Sequence, residues 1–144
     1  MTRQRILLLE TDDALQGVLC DLFEYEDLDV SVYNSLAALR AGVEQYPGAA
    51  VVSDSWVLGD YGSLSPKHRA EIVELSSMAP VVLTTGDRWD RWALRGELGS
   101  VVIVEKPYDL DELMRAVRAA LQRSRGQGSA RPQPTPERWR LAPA

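Results

Sequence analysis

A chain of 144 residues, 45% of them hydrophobic, is the size of one ordinary domain with a sizeable core. No apolar run approaches the roughly 18 residues of a membrane span, "ILLL" at 6–9 is too short for a signal-peptide core, and the single Cys20 excludes an internal disulfide or a cysteine-based zinc site, so the expected home is the cytoplasm. The net charge of −5 is uneven: residues 123–144 carry five Arg against Glu137 alone, leaving −9 for the rest, which argues against wholesale nucleic-acid binding and suits a cation or a basic partner.

The elements follow in chain order. "RILLL" (5–9) is a short apolar run ending in acids and predicts a strand buried on both faces. "DALQGVLCDLFEYE" has Leu15, Val18, Leu19, Leu22 and Phe23 at helical spacing, with Asp12 or Thr11 as cap. "LDVSVY" (28–33) predicts a second strand, and "NSLAALRAGVEQY" a second helix capped by Asn34 or Ser35, with Leu36, Leu39 and Val43 inward and "PG" as breaker. "AAVVS" (49–53) predicts a third strand that runs into Asp54 and the polar loop "DSWVLGDYGSLSP". "PKHRAEIVELSSM" predicts a third helix with Pro66 in its first turn, and "PVVLTT" (80–85) a fourth strand. "GDRWDRWALRGEL" reads as a fourth helix with a thin apolar pattern, "SVVIVE" (100–105) as a fifth strand, and "DLDELMRAVRAALQR" (109–123) as a fifth helix with Leu110, Leu113, Met114, Val117 and Leu121 inward.

Five apolar strands alternating with amphipathic helices imply a doubly wound parallel α/β sheet covered on both faces. Residues 1–123 form this domain; 124–144, rich in Gly, Pro, Gln and Arg, read as a basic tail. Ligands of such sheets sit outside the carboxyl ends of the strands. Strand one delivers Glu10, Thr11, Asp12 and Asp13 there, strand three Asp54, strand four Thr84 and Thr85, and strand five Glu105 and Lys106. With strand order 2-1-3-4-5, the carboxylates of strands one and three become neighbours. Crowded carboxylates call for a hard cation such as Mg²⁺. A carboxylate beside one is also a nucleophile toward phosphorus. Lys106, Thr85 (before Thr84) and the backbone amides after Asp54 are the donors that phosphoryl oxygens need.

The strand-one acids "LLLETDD", the acceptor strand "VVSDS", "PVVLTTG" and "VEKPYDLDEL" together resemble a response regulator receiver domain of two-component signalling, over residues 5 to 123. The resemblance implies a flavodoxin-like fold, Mg²⁺, and phosphoryl transfer from a histidine kinase or phosphotransfer protein. It makes Asp54 the acceptor, Thr85 the switch hydroxyl and Lys106 the paired lysine. Mg²⁺ is expected on Glu10, Asp54 and the backbone carbonyl of Trp56, with Asp12 reaching in. The fourth helix, fifth strand and fifth helix become a signalling and dimer surface, with Trp89 and Trp92 sharing one helical face.

The chain also departs from that pattern. Glu10 and Thr11 stand where two acids usually do, and a neutral hydroxyl weakens a metal site; the alternative is a shifted register in which Asp12 and Asp13 serve. Leu58 replaces a proline, Tyr61 interrupts an Asp-Gly pair, Trp56 occupies a position often small or polar, and Ile103 replaces the aromatic switch residue. Two functional readings follow: a phosphate-accepting signal receiver that is not a turnover enzyme, and a receiver-like interaction module that needs no phosphate. A hydrolase with an aspartyl intermediate is disfavoured, because its acid–base position two residues after Asp54 is Trp56. His68 is read as solvent-facing, Cys20 as filling space on the first helix, and "ERWRL" as folded back or disordered before any nucleic-acid role.

Overall fold

The computed structural model describes residues 3–54, 66–85 and 100–130, the side chains of His68 and of residues 125–130 excepted. In chain order the elements are β1 (Arg5–Leu9), α1 (Asp13–Tyr25), β2 (Asp29–Tyr33), α2 (Leu36–Gln45), β3 (Ala50–Asp54), α3 (Pro66–Met78), β4 (Val81–Thr85), β5 (Val102–Glu105) and α4 (Leu110–Ala130). The expected fourth helix with Trp89 and Trp92, and the loop holding Trp56, Leu58 and Tyr61, lie outside the described residues.

The helix ends have local causes. Asp12 caps α1, its side chain accepting from the N–H of Leu15. At the other end Asp27 adopts a positive φ of 64°, and the N–H groups of Asp27 and Leu28 bond the carbonyls of Glu24 and Phe23. This is a Schellman closure with an aspartate where glycine is usual. Ser35 caps α2 and Asp109 caps α4, whose first turn carries Asp111 and Glu112 against the helix dipole.

The five strands are parallel and ordered β2-β1-β3-β4-β5, as the sequence predicts. Period-two alternation splits their apolar residues between two faces. Ile6, Leu8, Val52, Val82 and Val104 meet Leu19 and Phe23 of α1 and Leu113, Met114, Val117 and Leu121 of α4. Leu7, Leu9, Val51 and Val81 meet Leu39 and Val43 of α2 and Leu75 of α3. β3 and β4 are buried throughout, which is why their sequences are continuously apolar rather than alternating.

Three expectations are corrected in detail. Val18 is 47% exposed, because it lies about a quarter-turn off the stripe that faces the sheet, and Leu110 is 39% exposed, although it is in line with its stripe, because it is the first residue of its helix. The last helix continues past residue 123 to Ala130. Its Arg, Gln and Ala carry the helix through two glycines that, read alone, suggest a tail. The Oγ of Ser124 donates to the carbonyl of Gly48 at 2.9 Å, and Arg118 pairs with Glu26 at the end of α1. These contacts lay the far part of α4 along the amino edge of the sheet.

Candidate functional site

The site lies at the opposite, carboxyl edge. β1 stops at Leu9 and hands over Glu10; β3 ends in Asp54, next to β1 in register; β4 and β5 end side by side in Thr85 and Glu105. The N–H of Lys106 bonds the carbonyl of Thr85 at 2.6 Å, so the backbone of the lysine is fixed to β4. The Lys106–Pro107 peptide is cis.

Lys106 lies between the two acids. Its Nζ is 3.5 Å from Glu10 Oε1 and 3.6 Å from Asp54 Oδ2. Both acidic side chains are 1% exposed, the lysine side chain 21%. Thr11 completes the group: its Oγ1 donates to Asp54 Oδ2 at 2.7 Å. Thr11 is held from both sides, since the N–H of Asp12 donates to Glu10 Oε2 at 3.0 Å and Gln16 Nε2 to the carbonyl of Glu10 at 3.3 Å.

The electrostatics follow from burial. Two buried carboxyl groups face one ammonium. Glu10 shows the effect: burial pushes its carboxyl upward, the N–H of Asp12 opposes this, the neighbouring Asp54 carboxylate adds to it, and Lys106 pulls it back. The phenol of Tyr108 is pushed up to about 12, first by burial and then by the charges of Glu10 and Asp54. Its hydroxyl is buried and has no hydrogen-bond partner among the described residues.

The predicted residues divide accordingly. Glu10, Asp54 and Lys106 are brought together. Thr85 is buried at the end of β4, one residue past Thr84, the register partner of Asp54. Thr84 is spent on the sheet, its Oγ1 donating to the carbonyl of Ser53 at 3.4 Å. Asp12, expected with the metal ligands, is engaged at the cap of α1 and exposed. Among the described residues no three acidic, His or Cys side chains converge as a metal-holding group. Glu10 and Thr11, rather than Asp12 and Asp13, lie against Asp54 or hold the residue that does. Trp56 and its carbonyl fall outside the described residues.

For Mg²⁺ the donor set fits in its minimal form. That ion is commonly held by one or two carboxylates, with water and substrate oxygens completing its shell. Glu10 and Asp54 are two such carboxylates. Two residues escaped the sequence reading as participants. Thr11 stood out only as a missing acid, not as a donor to Asp54. Tyr108 had a signal, an aromatic directly after Lys-Pro, but nothing in the sequence shows a buried phenol.

No protein-family model and no curated protein matches the chain. Solved structures do. A response regulator receiver protein from Sinorhizobium medicae is 20% identical, with a TM-score of 0.65, over 85% of this chain and 97% of that one. Full-length FixJ from B. japonicum is 21% identical with a TM-score of 0.68, over 90% of this chain but only 63% of FixJ. A protein solved as adenylate cyclase from Rhodopirellula baltica is 18% identical with a TM-score of 0.69, over 89% of this chain and 94% of that one. At such identities the likeness concerns architecture, and the architecture of this chain is the receiver-domain fold.

Proposed function

We propose that the protein is a phospho-signal receiver in which Asp54 accepts a phosphoryl group from a phosphohistidine donor. The observation that carries the reading is the buried Asp54 carboxylate at the carboxyl edge of the sheet, with Lys106 Nζ at 3.6 Å. The lysine also contacts Glu10, so its ammonium lies in the cluster rather than out in solvent. An oxygen of Asp54 attacks phosphorus, the P–N bond breaks, and the donor histidine leaves with the electron pair, taking a proton to become neutral imidazole. The product is an acyl phosphate on Asp54. Lys106 meets the charge on the incoming oxygens, and Thr85 is the hydroxyl placed to follow it.

Glu10 and Asp54 are the residues that would hold Mg²⁺; when bound, that ion supplies positive charge to the phosphoryl oxygens. The carbonyl of Trp56 and the Trp89/Trp92 face belong to this proposal as a further ligand and as the output or dimer surface. The partners are a histidine kinase or phosphotransfer protein upstream and a protein contact downstream. The domain acts as an acceptor and not as a turnover enzyme. Among the described residues no helix is long and apolar enough to cross a membrane; a cytoplasmic setting is part of the proposal.

One observation favours a second reading, an interaction module that needs no phosphate: Thr11 already supplies Asp54 with a hydrogen bond. Beryllofluoride, which mimics a phosphoryl group on aspartate, separates the two. Saturable, Mg²⁺-dependent binding that is lost in Asp54→Asn is expected. A folded protein that binds none at millimolar Mg²⁺ would leave the interaction module standing.

A further inference from the structure

The bond from Thr11 to Asp54 has a use beyond filling the place of an acid. At 2.7 Å it has the length of a charge-assisted O–H···O⁻ bond. The same oxygen, Asp54 Oδ2, faces the ammonium of Lys106. A carboxylate oxygen offers two lone pairs, and here a hydroxyl and an ammonium both address them. A cation approaching this oxygen must displace one of the two. Lys106 is shared with Glu10 and its backbone is fixed to β4, so the hydroxyl is the easier donor to displace. Its β-branched side chain has few χ1 options, and the ties at Glu10 and Asp12 hold the backbone on either side. The hydroxyl is therefore presented to Asp54 without further ordering.

We propose that Thr11 is a latch on Asp54: its hydroxyl competes with the divalent cation for the acceptor and is not one of the ligands. The latch deepens the acceptor reading and rests on it. It holds Asp54 in a satisfied, metal-free state and raises the cation concentration, or the binding energy of the arriving phosphoryl group, needed to open the site. Thr11 is a positioning residue in this scheme.

The test uses Mg²⁺ alone, with calorimetric titration for affinity and thermal melting of the metal-free protein. Removing the hydroxyl in Thr11→Val should lower the metal-free melting temperature and tighten Mg²⁺ binding about tenfold, the equivalent of one hydrogen bond to a charged group. Thr11→Ser, which keeps the hydroxyl, should behave as the parent chain. Thr11→Asp, which adds a third carboxylate, should bind tighter still. Should Thr11→Val not fold, Thr11→Ala carries the same expectation. A ligand hydroxyl gives the opposite sign, weaker binding in Thr11→Val, and that result overturns the latch. Equal affinities, or no metal binding in any of these proteins, overturn it too. The acceptor reading is scored separately: without a beryllofluoride complex it fails, even where Thr11→Val gains metal.

Discussion

Lys106 is the ammonium that reaches both buried acids, and its loss has a consequence in energy as well as in chemistry. Removing one partner of a buried ion pair leaves charge uncompensated, at about 3 kcal/mol or more. Lys106→Met should lose that much in urea denaturation at neutral pH, and Asp54→Asn added to it should recover part of the loss. Tyr108 makes the opposite case. Deleting a buried hydroxyl that has no partner among the described residues removes only a desolvation cost, so Tyr108→Phe should be at least as stable as the parent. The phenol also gives a pH signature. Its folded value of about 12 stands above the ordinary phenol value of 10.0, so the folded state keeps its proton longer. Its titration leaves stability unchanged below pH 10 and lowers it as pH rises toward 12, where the unfolded phenol ionises and the folded one does not. Denaturant midpoints of Tyr108→Phe should fall less steeply across that window than those of the parent; parallel slopes would show that the phenol is not held as described.

At the scale of elements, the caps give separable tests. Asp12 serves the first turn of α1, so Asp12→Ala should cost about 1 kcal/mol of stability and leave Mg²⁺ affinity unchanged. A fall in affinity would return Asp12 to the ligand set. At the far end of the same helix, Asp27 takes a left-handed conformation that costs an L-residue roughly 1 kcal/mol. Asp27→Gly should therefore stabilise by about 0.5–1 kcal/mol in thermal or chemical denaturation, its exposed pairing with Arg3 being worth little.

For the whole molecule, one sheet joins two apolar layers. Leu8 is fully buried against α1 and α4, and Leu7 beside it faces α2 and α3. Leu8→Ala should cost 2–5 kcal/mol, and both layers should unfold together, seen as coincident far- and near-ultraviolet circular dichroism transitions. The same layering explains what could be read from residues alone. β3 and β4 betray themselves because a strand covered on both faces has no room for polar side chains, and the acids and hydroxyls at their ends mark one edge of the sheet. Glu10, Asp54 and Lys106 could be gathered by that rule. Hydrogen bonds between residues far apart could not: Thr11 and Asp54 are 43 positions apart, and only side-chain geometry decides whether Thr11 serves the helix cap or Asp54. The end of α4 was hidden for a different reason, because Ser-Arg-Gly-Gln-Gly has the composition of a linker while its backbone is helical.

The length of α4 has one more consequence. Twenty-one helical residues make a rod of about 31 Å, and a five-residue strand spans about 17 Å. The rod starts beside Asp54's edge, passes Gly48 at Ser124, and overhangs the other side. A fluorophore, tag or fused protein attached after Ala130 is thus mounted on the opposite side of the domain from Asp54. Such a cargo leaves the Asp54 edge of the sheet clear, and it senses events there only by the tilt or slide of the rod that carries it.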